Sequence, residues 1–130
     1  MIEVRFHGRA GQGAKMANRI LGRSGFLSGL YVQDFALFGA ERRDAPVVSF
    51  TRLSAESIDQ RGNIERPNLV VVMDNSLLKE AFGQVVYGVQ DRTPIIVNAE
   101  LDQRLHNLLR RVSDRSDQPK ARGVTCLARC

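Results

Sequence analysis

The residues best able to do chemistry come early, in Gly8-Arg9-Ala10-Gly11-Gln12-Gly13, which reads GRAGQG. Glycines let backbone N–H groups come close to a ligand, and a helix opening just after such a turn presents unpaired N–H groups and the positive end of its dipole. The chemistry this predicts is anion binding, with a phosphate the natural occupant. The same glycines would also suit a tight strand-to-helix connection with no ligand, and the turn alone leaves both readings open. Gly8 and Gly13 have the separation of a Walker A loop, but Ala14 stands where lysine is needed and Met16 cannot ligate magnesium. The glycines fall as G-x-x-G-x-G, not as the G-x-G-x-x-G of dinucleotide sites. Asp34 nevertheless lies at about the right chain distance to take a ribose hydroxyl, which keeps a free-standing nucleotide-binding Rossmann-like module in view as the alternative.

Other polar residues offer less. Glu41, Arg42, Arg43 and Asp44 form a charged turn before a strand that ends in Thr51 and Arg52. Asp74 closes the strand NLVVVMD, where it faces either a ligand crevice beyond the strand ends or the start of the next helix. His7 and His106 lie far apart without metal-ligand spacing and read as packed or surface residues. Cys126 and Cys130 form C-x-x-x-C in a segment that reads as strand, so no metal site and no disulfide framework is expected, and the compartment is expected to be reducing.

The elements that must position these groups alternate between strand and helix. MIEVRFH sets Ile2, Val4 and Phe6 against Glu3, Arg5 and His7, which predicts a strand near an edge or with one polar side. From Ala14, a stripe of Ala17, Ile20, Leu21, Ser24 and Leu27 predicts a helix packing on a sheet through that face, with Gly29 as its stop. YVQDFALF and APVVSFTRL read as strands joined by a turn too short for a parallel crossover, so antiparallel pairing is expected there. NLVVVMD predicts a buried central strand, NSLLKEAF a short helix capped by Asn75 or Ser76, and PIIVN another buried strand. Leu101, Leu105, Leu108, Leu109 and Val112 draw a further helix, SDRSDQPKARG a loop, and VTCLA a last strand. The fold class expected is α/β: a three-layer Rossmann-like sheet, mostly parallel with some antiparallel pairing.

The chain has 130 residues, 43% of them hydrophobic, which predicts one domain over 1–130. A sheet that ends on a strand wants a covering helix, so C-terminal helices are expected to be lacking. Lys and Arg total 19 against 14 Asp and Glu, a net charge of +5 suited to a phosphorylated ligand or acidic partner. Aromatics at 6% and scattered basic residues argue against nucleic acid, and no apolar run approaches a membrane span. A cytoplasmic location is expected.

Three separated stretches, RFHGRAGQG, FGAERRDAPVVSFTR and PNLVVVMD, together resemble the gamma subunit or domain of the 2-oxoacid:ferredoxin oxidoreductases. That family includes pyruvate, 2-oxoglutarate, 2-oxoisovalerate, indolepyruvate and aromatic-oxoacid enzymes. Its usual turn is G-R-G-G-Q-G, from which only Ala10 departs. Gly39, Glu41 and Arg43 match its second turn, while Asp44 and Ala45 stand where glycines are common. The resemblance implies a non-catalytic subunit of a complex that oxidatively decarboxylates a 2-oxoacid on thiamine diphosphate. Electrons would pass through iron-sulfur clusters to ferredoxin or another acceptor, and the acyl group to coenzyme A. Thiamine diphosphate and the clusters would sit on alpha, beta and delta partners. This chain would supply scaffolding and part of a coenzyme A site built from Gly8, Arg9, Gly11, Gln12, Gly13, Glu41, Arg43 and Arg52. Salt bridges within the complex remain the other role for the arginines, and capping the turn the other role for Gln12.

Overall fold

The computed structural model describes residues 1–38, 44–90, 93–99 and 124–127. Six strands make one mixed sheet: β1 (Ile2–Arg9), β2 (Tyr31–Phe38), β3 (Pro46–Ser54), β4 (Leu69–Val72), β5 (Ile95–Asn98) and β6 (Val124–Leu127), in the order β2-β3-β1-β4-β5-β6. β1, β4, β5 and β6 run parallel, whereas β3 lies antiparallel between β1 and β2. The short connection after β2 enforces the antiparallel partner, as its length predicts. Helix α1 (Ala14–Leu27) follows β1, and the short helices α2 (Leu77–Glu80) and α3 (Phe82–Val85) follow β4. The helix stripe at 101–112, the loop at 113–123, His106 and Cys130 fall outside the described residues. Cys126 lies on β6, a strand as expected.

β1 corrects the expectation drawn from its alternation. It lies inside the sheet, paired on both sides, and its polar residues Arg5 and His7 are each only 3% exposed. Alternating polarity usually marks a wet face. Here that face is roofed: the Arg5 guanidinium donates to the carbonyls of Ile64 at 3.4 Å, Val85 at 2.9 Å and Tyr87 at 2.7 Å. On the same side Val70, Val72, Ile95 and Val97 pack with Leu77, Leu78 and Val85, so β4 is the buried strand that its apolar run predicts.

α1 covers the opposite face, but not through the expected stripe. Its buried residues are Ala14, Asn18, Gly22 and Gly25, while Ile20 and Leu27 are 60% and 71% exposed. Small residues win because the helix lies close to the sheet, and polar bonds fix it there: the Ser49 hydroxyl donates to the Ala14 carbonyl at 3.3 Å, and the Thr51 hydroxyl pairs with Asn18. The helix ends as predicted at Gly29, where Leu30 N–H donates to the Gly25 carbonyl at 3.1 Å.

Gly8 is required where β1 meets α1. A Cβ there would lie 2.8 Å from the Ala14 Cβ. Gly8→Val is therefore expected to push α1 off the sheet and to lower stability by about 1–3 kcal/mol, the usual cost of overpacking. A denaturant midpoint equal to wild type would show that the contact can relax.

Candidate functional site

The carboxyl ends of β1, β4 and β5 share one edge of the sheet, and the glycine turn sits on it. Gly11 and Gly13 have φ of 89° and 83°, the left-handed region that disfavours other residues. Gly13 is the N-cap of α1, no side chain caps that helix end, and its first turn holds no acidic residue. Where a Cβ would stand at either glycine, no atom of the described residues beyond its chain neighbours lies within 4 Å. The start of an α-helix leaves backbone N–H groups without intrahelical partners. The geometry is thus an open, positively polarised backbone surface, and the donor set fits a phosphate oxygen.

The remaining side chains build a frame around it. Gln12 accepts from the Arg9 N–H at 3.0 Å through Oε1 and donates through Nε2 to Asp74, so it braces the turn. Arg9 reaches across to α2: Nη2 donates to Ser76 Oγ and Glu80 Oε2, each at 2.7 Å, Nε lies 3.5 Å from Asp74 Oδ2, and Nη1 donates to the Asp44 carbonyl at 2.9 Å. Its positive charge is largely answered by Glu80 and Asp74. Asp74 also accepts from the Ser76 N–H at 2.9 Å. Hydrogen bonds from Ser76 and then Gln12 hold its carboxyl below the usual carboxylate range. Of the two roles open to Asp74, the observed bonds fill the helix-start one. Ser76 is the N-cap of α2, one of the two positions expected, but it makes no side-chain cap bond and its hydroxyl serves Arg9.

The second signature turn converges on the same place. Ala10 N–H donates to the Ala45 carbonyl at 3.0 Å, and Arg9 pairs with Pro46 across the β1–β3 ladder. Asp44 has φ of 67°, the left-handed conformation that suits the glycine common at this position in the resembling family. Aspartate tolerates it better than most residues. Asp44→Gly is expected to raise stability by about 0.5–1 kcal/mol, measured by chemical unfolding, and a loss of stability would show that the aspartate side chain matters more than the backbone. Glu41 and Arg43 fall outside the described residues.

Arg52 is not brought to this edge. It pairs with Glu3 in the ladder, at the far end of β1 from Arg9 and so about 20 Å away along the strand. Its residue exposure is 2%, and its guanidinium donates to Glu3 at 2.9 Å, Gln33 at 2.7 Å and the Gly62 carbonyl at 3.0 Å while lying over the Phe35 ring. Arg52 is held instead in a buried salt bridge to Glu3 of the same chain, away from the glycine turn.

Asp34 undercuts the dinucleotide alternative. It sits opposite Thr51 partway along β2, below the carboxyl edge, and β3 separates β2 from β1, so the adjacent parallel strands of a dinucleotide fold are absent at this point. Sequence reasoning missed Ser76 and Glu80 as partners of Arg9. Their signal was present in the strong strand NLVVVMD followed at once by a helix, because that order brings the helix start beside the end of β1. His7 is packed, as read: burial and then the Arg5 charge lower its pKa to about 3, and its Nε2 has no partner. Among the described residues no helix is long and apolar enough to cross a membrane, and no group of three His, Cys, Asp or Glu is placed to hold a metal ion.

Known proteins resemble this chain in sequence and fold. The profile of a family described as pyruvate ferredoxin/flavodoxin oxidoreductase matches residues 3–128. The "Pyruvate/ketoisovalerate oxidoreductases common subunit gamma" of Pyrococcus furiosus is 51% identical over 77% of this chain and 53% of its own length. "Pyruvate synthase subunit PorC" of Methanocaldococcus jannaschii is 43% identical over 78% of this chain and 56% of its own. The chain thus spans about half the length of the curated relatives it matches. The crystal structure of the Thermotoga maritima pyruvate oxidoreductase subunit PORC superposes with a TM-score of 0.68 at 34% identity, covering 92% of this chain and 58% of that one. A 2-oxoglutarate:ferredoxin oxidoreductase from Magnetococcus marinus, solved with 2-oxoglutarate, coenzyme A and succinyl-CoA bound, shares the fold at a TM-score of 0.62 and 17% identity, over 78% of this chain and 18% of its own.

Proposed function

Because the chain belongs to the pyruvate ferredoxin/flavodoxin oxidoreductase family, we propose that it serves as the gamma-type component of a multi-subunit 2-oxoacid oxidoreductase and that its glycine turn holds a phosphate of coenzyme A. The observation that carries the ligand assignment is the pair of left-handed glycines before an uncapped helix, with open space in front. The complex would oxidatively decarboxylate a 2-oxoacid, with thiamine diphosphate and iron-sulfur clusters on alpha, beta and delta-type partners, ferredoxin or another carrier as acceptor, and a cytoplasmic setting. The chain itself is a scaffold and a ligand-binding wall, with no catalytic residue of its own.

Coenzyme A, when bound, supplies the thiol that accepts the acyl group. The chain's part is to bind and orient it. The backbone N–H groups of Gly11 and Gly13 and the first turn of α1 meet a phosphate, where the helix dipole favours negative charge, while the Gln12 N–H is held by the Arg9 carbonyl at 3.1 Å. Gln12 holds the turn in shape, and Arg9 ties it to α2 and to the end of the second signature turn. Arg9 acts here chiefly as a brace, because Glu80 and Asp74 already balance its charge. Glu41 and Arg43, which lie outside the described residues, are assigned to the same coenzyme A site on the family resemblance alone.

The test is a steady-state coenzyme A titration on the assembled complex. Charge-assisted hydrogen bonds contribute about 1.5–3 kcal/mol, so Gly11→Val or Gly13→Val should raise the coenzyme A requirement roughly tenfold to a hundredfold while the complex keeps its other cofactors. Ala10→Gly should be nearly neutral. Arg52→Gln should lower thermal stability and leave the coenzyme A requirement unchanged. Unaltered coenzyme A dependence in both glycine variants would remove the ligand assignment.

A further inference from the structure

α1 has a second face that no described element covers. Opposite the residues that pack on the sheet, Met16, Ile20 and Leu27 are 61%, 60% and 71% exposed, and their spacing sets them in one row along the helix. Arg23 falls in that row, Arg19 lies beside it, and the helix carries no acidic residue. A groove of about 390 Å³ runs alongside, between Arg19, Arg23 and Phe26 on the helix and Val32 and Asp34 on β2, and Phe26 is itself 63% exposed. An apolar ridge beside two arginines and an open groove has the makeup of an interface: apolar anchors within a charged rim.

We propose that this ridge docks a partner polypeptide of the complex, through an apolar surface rimmed by acidic side chains. The proposal rests on the gamma-type reading above. The charge pattern selects the occupant. A second copy of the chain joined through the same ridge would gather four arginines, Arg19 and Arg23 twice, against only two Asp34 carboxylates, a surplus of like charge that a self-complementary interface does not relieve. An acidic rim on a different chain satisfies both arginines while its apolar centre covers Met16, Ile20 and Leu27, and the groove receives one side chain beside Phe26.

Arg19→Glu/Arg23→Glu and Met16→Ser/Leu27→Ser alter exposed positions, so both double variants should fold with near wild-type thermal stability. Each is to be compared with wild type in reassembly with the purified partner subunits, followed by native mass spectrometry and a binding isotherm at two salt concentrations. At least tenfold weaker association is expected for either variant, together with a reduced salt dependence for the charge-reversed one. Wild-type affinity in both variants, within a complex that forms normally, overturns the docking surface alone. No complex in the wild type overturns the gamma-type reading and this inference together. Concentration-dependent dimerisation of the wild type abolished by Met16→Ser/Leu27→Ser, or binding to anionic vesicles abolished by Arg19→Glu/Arg23→Glu, overturns it in favour of a second copy or a lipid surface.

Discussion

Arg5→Ala is expected to destabilise the chain by about 4 kcal/mol in urea unfolding, one of the two largest effects anticipated for it. The arginine is 3% exposed in the middle of the sheet, and its described acceptors are the main-chain carbonyls of Ile64, Val85 and Tyr87. Removing the side chain strands two buried acceptors, the carbonyls of Ile64 and Val85, each costing about 1–3 kcal/mol when left unpaired, frees the part-buried Tyr87 carbonyl, and opens a cavity over β1. Burial lowers the Arg5 pKa, because the charged form loses hydration. Arg5→Met retains the volume and abolishes that desolvation, so it should lose about half as much as alanine does. The coordinate most exposed to this test is the roof at residues 64 and 85–87. A loss below about 1 kcal/mol for alanine would mean that the roof stands without the guanidinium.

His7 is expected to make stability fall with acid, by about 1.4 kcal/mol for each pH unit below its ordinary value. Its pKa drops from 6.5 to about 3, through burial first and the nearby Arg5 charge second, so the folded chain keeps the imidazole neutral. The unfolded chain takes up the proton near pH 6.5 and the folded chain does not. The stabilisation is therefore complete above pH 6.5 and is lost progressively as the pH falls toward the folded value. Between pH 6.5 and 4.5 wild type should lose about 2 kcal/mol from this group, and His7→Leu, which has no such proton to take up, should lack that component. The difference between the two pH profiles is the measurement, since carboxylates common to both cancel. Parallel profiles would contradict the burial of a neutral imidazole.

The sequence was legible where a pattern maps onto one physical cause. The run from Leu69 to Val72 is apolar because Val70 and Val72 are fully buried on one face while Leu69 and Val71 are half-buried on the other, and Gly29 stops α1 because its φ is 82°. The antiparallel β3 followed from a connection too short for a crossover. Legibility failed where two causes yield one pattern. Arg5 and His7 alternate with apolar residues as solvent-facing side chains do, yet here a guanidinium roofed by carbonyls takes the place of water. Ile20 and Leu27 share helical spacing with Leu21, and periodicity cannot say that glycines and Asn18 face the sheet while those two apolar residues face outward. The glycine turn was found by composition alone, but the frame around it depends on contacts between Arg9 and residues 76 and 80, which only the β1–β4 pairing brings near. Arg52 looked like a companion to Arg9 in sequence, and the antiparallel register sends it to the other end of the strand.

Hydrogen–deuterium exchange of the intact complex with and without coenzyme A decides whether the glycine turn receives a phosphate of that ligand. Backbone N–H groups that bind phosphate exchange more slowly when it is present. The prediction is slower exchange in the peptide spanning Gly8 to Met16 at saturating coenzyme A, with exchange around Arg52 unchanged. Unchanged exchange from Gly8 to Met16 in a complex that demonstrably binds coenzyme A would contradict the claim and leave the turn a strand-to-helix connection.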